Sequence, residues 1–416
     1  MAMRTLAHLI DVAWLHEAFR RTRKDGAVGV DGQSGEDFAR DLTKNLRSLH
    51  ERAKAGTYRA PPVRRVNIPK GDGRMRPLGI PTFEDKVLQR AVAMILEAVY
   101  EQDFLDCSYG FRPGRSAHGA LKALRDATMN MGGGWILEAD IQGFFDALDH
   151  GHLRDALARR IDDGGLYRLI GKWLNAGVME GNDFQRADAG TPQGGVISPI
   201  LANVYLHEVL DDWFEHKVKP KLKGRAVLVR YADDFVIVFE QEGDARRVYD
   251  VLGKRFAKYG LTLHPEKTKL VKFTSPASKS GNDDDDGSTS FDFLGFTHHW
   301  AKSNKGYWVV MLRTAKSRFC RAVDRIRQWC RINRHRSVDE QCVSLGRKLR
   351  GHYNYFGLVG NGHAIQRFSD AVYATWRGWL NRRSQRARMT WGQMRRLIKD
   401  HPLPAPPLRR LRSLRG

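Results

Sequence analysis

Val227-Leu228-Val229-Arg230-Tyr231-Ala232-Asp233-Asp234-Phe235-Val236-Ile237-Val238-Phe239 places two adjacent carboxylates between two apolar runs. β-Branched and aromatic residues on both sides of a short polar break predict a hairpin over 226–239. Turns favour Asp for local reasons, so the pair alone has a purely structural reading. A third acid shifts the balance. Asp140 ends another apolar strand, Trp135-Ile136-Leu137, far upstream. Acids that end separate buried strands are what a two-metal phosphoryl-transfer site needs.

Magnesium takes hard oxygen ligands, commonly one or two carboxylates completed by substrate phosphates and water. Asp140 and Asp233 fit as bridging ligands for two Mg2+ ions, with Asp234 as the accessory acid and Mn2+ as a workable substitute. Asp146 and Asp149 follow the turn after Asp140 and read better as helix-capping or surface residues. A triphosphate needs positive charge, and Lys70 and Arg76 flank the glycine turn Lys70-Gly71-Asp72-Gly73-Arg74. One hairpin can present both to the same phosphates; an exposed basic hairpin is the equal alternative. Ala189-Gly190-Thr191-Pro192-Gln193-Gly194-Gly195 precedes a helix, and its glycines permit close backbone approach to a substrate. Gln193 is placed to meet an incoming nucleotide, with a structural loop as the other reading.

Charge separates the chain into two parts. The 416 residues carry 70 Lys+Arg against 47 Asp+Glu, a net +23. Residues 301–416 hold 27 of the basic and 5 of the acidic residues, leaving 43 and 42 for residues 1–300. So one-sided a C-terminal quarter implies a polyanion partner, most naturally nucleic acid. The four cysteines, Cys107, Cys320, Cys330 and Cys342, form no C-x-x-C pair and no disulfide framework, which fits idle thiols in a reducing compartment. No signal peptide is evident at the start, and no apolar run approaches the ~20 residues of a membrane span. These features predict a cytoplasmic protein with no membrane partner.

The pattern along the chain mixes strands and helices, an α+β or α/β order rather than a helical bundle. Residues 1–60 read as helices around a glycine-rich break at 26–35. Residues 63–69 and 76–81 read as paired strands. Thr82 to Tyr100 reads as a helix with Thr82 as N-cap and Asp85 three residues on in a near capping box. Leu153 to Asn175 reads as helical, Pro199 to Phe214 and Val248 to Tyr259 each as a helix, with a strand within 261–273. Residues 275–290, containing Asp283-Asp284-Asp285-Asp286, read as a flexible acidic insertion. Beyond Thr314 helical spacing dominates: Phe319, Val323, Ile326 and Cys330 share an apolar face. Tyr353, Tyr355 and Phe356 read as packing residues ahead of base-stacking ones.

Several ordered blocks together resemble bacterial group II intron-encoded reverse transcriptases (maturases). They are Ile68-Pro69-Lys70 through Pro81, Cys107-Ser108-Tyr109-Gly110-Phe111-Arg112-Pro113-Gly114-Arg115-Ser116, Glu138 to Asp146, Gly190 to Asn203, Arg230 to Phe235, Gly260 to Thr268, Phe291 to Phe296, and Gly351-His352-Tyr353-Asn354-Tyr355-Phe356-Gly357. The resemblance implies an α+β right-hand polymerase: an N-terminal extension over 1–60, fingers and palm over 61–300, and a helical basic thumb over 301–416. It implies catalysis at Asp140, Asp233 and Asp234. Ile141 would supply a backbone carbonyl to metal or an amide to phosphate. Lys70, Arg76, Phe144, Phe145 and Gln193 would surround the nucleotide, with Phe145 as the steric gate against a ribose 2′-hydroxyl; a plain core role for both phenylalanines stays open. Lys267 or Lys269 would assist pyrophosphate departure. Arg112 and Arg115 would touch template or primer, with capping or salt-bridge roles equally open. Arg318, Arg321, Arg325, Arg347, Lys348 and Arg350 would meet nucleic acid.

The implied activity is RNA-directed DNA synthesis, with assistance to splicing of the group II intron RNA and copying of that RNA for retrohoming. Its partners would be the intron RNA, an RNA template with DNA primer, deoxynucleoside triphosphates and target DNA. Its place would be the bacterial cytoplasm, with nucleoid association during mobility. No His-Asn-His endonuclease pattern follows Pro407, so target cleavage by this chain is not expected. Two alternatives carry different expectations: a domesticated relative serving phage defence or CRISPR adaptation, and a splicing-only RNA-binding maturase.

Overall fold

The computed structural model describes every residue except 1, 70–74, 181–182, 186–193, 277–289, 384–388, 409–410 and 415–416. Lys70, Gln193 and the Asp283–Asp286 run lie outside the described residues. The chain forms two compact units, one of residues 1–120 with 137–270, the other of residues 121–136 with 271–416.

The first unit begins with three amphipathic helices, α1 (Val12–Arg21), α2 (Gly35–Arg40) and α3 (Leu42–Lys54). Asp11 caps α1, and Ser34 with Asp37 forms a reciprocal capping box on α2. Strands β1 (Val63–Pro69) and β2 (Met75–Ile80) pair antiparallel from Arg64↔Ile80 to Pro69↔Met75, as their sequence predicts. Helix α4 (Phe83–Tyr100) follows, with Thr82 accepting from the Asp85 amide. Asp85 does not reach back to complete a capping box; its carboxylate is buried and engaged elsewhere. Ring contacts of Phe38 with Phe83 at 5.4 Å and of Phe19 with Phe83 at 6.0 Å tie α1, α2 and α4 into one core.

Helix α5 (Ala117–Asn130) leads to strand β3 (Trp135–Ala139). Short helix α6 (Phe144–Ala147) and helix α7 (His150–Ala158) follow, and Asp149 caps α7 by accepting from the His152 amide. The helical stretch expected over 153–175 is divided between two helices. Asp163 accepts from the Leu166 amide and starts a new helix, α8 (Gly164–Leu174), so the run breaks where a cap is available. Strands β4 (Val178–Glu180) and β5 (Asp183–Gln185) join the first pair in a sheet of order β2-β1-β4-β5.

Helix α9 (Ser198–Leu206) runs on through π-helical turns at His207–Asp211 and Phe214–Val218, further than its sequence suggests. Strands β6 (Ala226–Tyr231) and β7 (Asp234–Phe239) form the expected hairpin, in register from Ala226↔Phe239 to Tyr231↔Asp234. Helix α10 (Glu242–Lys258) begins six residues before the apolar spacing announces it, and β8 (Lys269–Lys272) completes a sheet of order β6-β7-β3-β8. The apolar run of β7 is buried on both faces, which is why it does not alternate. Phe235 stacks on Phe256 of α10 at 5.8 Å, and Phe239 meets Phe214.

In the second unit, β9 (Phe291–Phe293), β10 (Phe296–Lys302) and β11 (Trp308–Thr314) form an antiparallel sheet of order β11-β10-β9. A domain boundary at 300/301 would cut β10. Helices α11 (Lys316–Ile332), α12 (Val338–Phe356), α13 (Gly362–Leu380) and α14 (Trp391–Asp400) enclose a core that includes Val323, Ile326, Cys330, Leu349, Phe368 and Trp376. Tyr353 is buried there, Tyr355 donates to the Leu294 carbonyl at 2.8 Å, and Phe356 packs on Phe296 at 5.1 Å. Packing, not base stacking, occupies these three. The four cysteines are free.

Candidate active site

The hairpin turn puts Asp233 and Asp234 at the lip of the β6-β7-β3-β8 sheet, and β3 delivers Asp140 to the same lip. The backbone after β3 is anchored from the other side: the His264 amide donates to the Asp140 carbonyl and the Gln142 amide to the Thr262 carbonyl, both at 2.8 Å. Ile141, buried, bridges antiparallel to Leu263.

The three carboxyls feel one another. Asp234 is pushed up by desolvation of its carboxyl, then by the charges of Asp233 and Asp140. Asp233 is raised by burial and by Asp140, with Arg76 and Lys267 opposing. Among the described residues no three His, Cys, Asp or Glu side chains close to metal-ligand spacing; Asp140 is drawn into an ion pair with Lys267 instead. Mutual repulsion and hard oxygen donors nevertheless mark a place that a divalent cation suits.

Around the acids the sequence candidates divide. Arg76 is exposed and acts on Asp233 through charge. Lys267 reaches Asp140, whereas Lys269 pairs with Glu138 at 3.4 Å. Phe144 is buried against Tyr205, so its ring serves the core and not a nucleotide; Phe145 remains half-exposed. Arg112 is also turned inward. It is 7% exposed, pairs with Glu101 at 3.0 Å and donates to the carbonyls of Phe104, Leu105 and Ser108, so it is not available to template or primer. Arg115 is half-buried, pairs with Asp106 and lies over the Tyr109 ring at 5.4 Å.

Two buried polar clusters escaped the sequence reading. Asp85 accepts from Tyr58 Oη at 2.5 Å, Trp173 Nε1 at 2.6 Å and Gln89 Nε2 at 2.9 Å. Gln89 in turn accepts at Oε1 from the amides of Val196 at 2.8 Å and Ile197 at 3.3 Å, just past Gln193. Gly194, at φ +113°, approaches Gly79 so closely that an added Cβ would meet the Gly79 carbonyl oxygen at 2.6 Å. The second cluster centres on Arg230. Both had a trace in the sequence: Asp85 and Gln89 share one helix face at a spacing of four, and Arg230 is a lone charge in an apolar strand.

Residues 68–298 match the family model for reverse transcriptase (RNA-dependent DNA polymerase). The chain belongs to the reverse transcriptase family. It is an RNA-directed DNA polymerase. Residues 320–398 of this reverse transcriptase match the group II intron maturase-specific domain, joining a maturase function to the polymerase. It is 43% identical to the group II intron-encoded protein LtrA of Lactococcus lactis over 428 residues, 82% of this chain and 67% of that one. It is 36% identical to protein YkfC of Escherichia coli over 266 residues, 56% of this chain and 70% of that one. Among solved structures, a telomerase of Candida albicans in complex with a telomeric RNA fragment overlays with a TM-score of 0.46 at 14% identity, covering 88% of this chain and 67% of that one. Among the described residues no helix of the reverse transcriptase is long and apolar enough to cross a membrane.

The basic residues of its maturase region face outward where the apolar stripe of α11 faces in. Arg318, Arg325, Arg347, Lys348 and Arg350 are exposed, and Arg321 is half-buried. Lys348 lies over the Trp329 ring at 5.6 Å.

Proposed function

We propose that this reverse transcriptase copies group II intron RNA into DNA for retrohoming, with Asp140, Asp233 and Asp234 holding two magnesium ions. The observation that carries the site assignment is that one sheet brings Asp140 at the end of β3 and Asp233 and Asp234 at the β6–β7 turn near enough for the charge of Asp140 to raise the other two carboxyls. The ions, when bound, activate the primer 3′-hydroxyl and stabilise charge on the transferring phosphoryl group. The primer oxygen attacks the α-phosphorus of the deoxynucleotide, and the bond to pyrophosphate breaks.

The chain's own groups surround that event. Arg76 neutralises triphosphate charge from the β1–β2 hairpin, a task Lys70 shares by sequence. Lys267, already beside Asp140, is the better placed of the two lysines to give a proton to departing pyrophosphate; Lys269 is held by Glu138. Phe145 offers the half-exposed ring against which a 2′-hydroxyl would clash. The Ile141 backbone lies beside Asp140 and can meet metal or phosphate. The exposed arginines and lysines of α11 and α12 bind intron RNA and the template–primer duplex through phosphate, and target DNA by the same chemistry. A bacterial cytoplasm, reducing enough for four free thiols, suits this role.

Primer extension on poly(rA)/oligo(dT) with magnesium tests the reading. Wild-type protein should extend the primer, and Asp233→Ala should abolish extension while intron RNA binding persists. Splicing stimulation by a wild type that extends nothing would replace this reading with a splicing-only maturase.

A further inference from the structure

Arg230 sits at the end of β6, one residue before the catalytic turn, and is 0% exposed. Every guanidinium donor has a partner. Nε and Nη2 fork onto the Asp211 carboxylate at 2.7 and 2.5 Å, and Nη2 also donates to Ser108 Oγ at 2.7 Å. Nη1 donates to Asn203 Oδ1 and to the Ala232 carbonyl, both at 3.0 Å. Asp211 is itself 0% exposed.

A fully buried ion pair is a poor source of stability, because taking both charges out of water costs as much as their attraction returns. What this pair does hold is the turn. Ala232 is left-handed at φ +57°, a conformation that a non-glycine residue keeps only when its surroundings enforce it. Its carbonyl is the group Arg230 grips, and the next residue is Asp233. From the other side, Asn203 Nδ2 donates to the Gly110 carbonyl at 2.8 Å. Gly110 lies so close that an added Cβ would stand 2.3 Å from the Ala232 nitrogen. The Arg230 amide donates to the Cys107 carbonyl and the Tyr109 amide to the Arg230 carbonyl, at 2.7 and 2.8 Å. Three segments far apart in sequence, 107–110, 203–211 and 230–232, thus converge on one peptide plane.

We infer that Arg230 is a positioning residue of the polymerase: with Asp211, Asn203, Ser108 and Gly110 it fixes the Ala232–Asp233 peptide and thereby sets where Asp233 stands relative to Asp140. The inference rests on the polymerase reading above. Lysine cannot replace this arginine, since a single ammonium on a flexible stem cannot span Asp211, Asn203 and the Ala232 carbonyl together. Asn203 bridges the two sides without carrying charge, so its removal loosens the turn while leaving the ion pair.

The test uses the full chain with Arg230→Lys and Asn203→Ala, each assayed well below its own melting midpoint. The readouts are kcat and deoxynucleotide KM on poly(rA)/oligo(dT), the magnesium concentration for half-maximal rate, and binding of a structured intron RNA. Displacement of a reacting group by about 1 Å costs on the order of a hundredfold in rate, so Arg230→Lys should lower kcat by roughly ten- to a hundredfold. KM should stay near the wild-type value, the magnesium requirement should rise, and RNA binding should be unchanged. Asn203→Ala should shift the same way by less. Variants that melt lower yet keep wild-type kcat and magnesium requirement would overturn the inference, leaving Arg230 a purely structural residue. If Arg230→Lys does not fold, Asn203→Ala decides alone by the same criterion. An inactive wild type in this assay would instead strike down the polymerase reading itself.

Discussion

Replacing Asp85 by asparagine should remove a defined piece of the protein's pH-dependent stability. Burial raises this carboxyl from an ordinary 3.8 to about 6, against the pull of three hydrogen-bond donors, Tyr58, Trp173 and Gln89. A proton held more tightly in the folded state stabilises it fully below the unfolded value and is lost as an advantage when pH rises through the folded one. Each unit of difference is worth about 1.4 kcal/mol. The interval from 3.8 to about 6 therefore corresponds to about 3 kcal/mol given up between pH 4 and pH 7. For a domain of this size that is ~6–12 °C in melting temperature. The assay is thermal melting of wild type and Asp85→Asn at half-unit steps from pH 4 to 7.5. Subtracting the two profiles cancels the other titrating groups. Wild type should lose its relative stability steadily towards neutral pH, with the variant flat by comparison. Parallel profiles, offset by a constant, would show that Asp85 does not titrate in this interval and that its burial is not what sets its proton affinity.

Gln89→Leu should strip the acceptor from the Val196 and Ile197 amides, each buried unsatisfied donor costing about 1–3 kcal/mol; the loop beyond Gln193 should loosen, raising deoxynucleotide KM more than it lowers kcat in steady-state extension. Phe145→Ala should admit ribonucleotides, raising their incorporation relative to deoxynucleotides by about tenfold or more, read on a gel with matched dNTP and rNTP series; Phe144→Ala should instead lower the melting temperature, since that ring is core. The double substitution Arg318→Ala with Arg325→Ala should weaken intron RNA binding and shallow its salt dependence by about 1.5 to 2 logarithmic units per decade of salt, measured by filter binding across a salt series; an unchanged slope would place the RNA on another face.

The hairpin 226–239, the β1–β2 pair, the caps at Asp11, Ser34 and Thr82, and the amphipathic run of α11 were legible because each depends on residues a few positions apart. Asp140, Asp233 and Asp234 were legible because acids that close apolar strands stand out against them, and the basic C-terminal region because charge is additive along the chain. Where two neighbouring residues compete for one role, local pattern has no means of choosing. Phe144 faces Tyr205 while Phe145 reaches solvent, and Lys267 meets Asp140 while Lys269 meets Glu138. Arg112 looks like a phosphate ligand until Glu101 and three carbonyls enclose it. Asp85 looked like half of a capping box until Tyr58 and Trp173, 27 and 88 residues away, converged on it.

Residue order alone identifies a reverse transcriptase that carries three acids at the ends of apolar strands and a basic maturase region. Which charged groups stay in water and which are walled in depends on how distant segments pack. Arg230 with Asp211 came to brace the Tyr231–Asp234 turn, and Asp85 with Gln89 to hold the Val196–Ile197 backbone, because packing brought distant segments around them. A buried polar group must find its hydrogen-bond partners there or pay the full cost of leaving water.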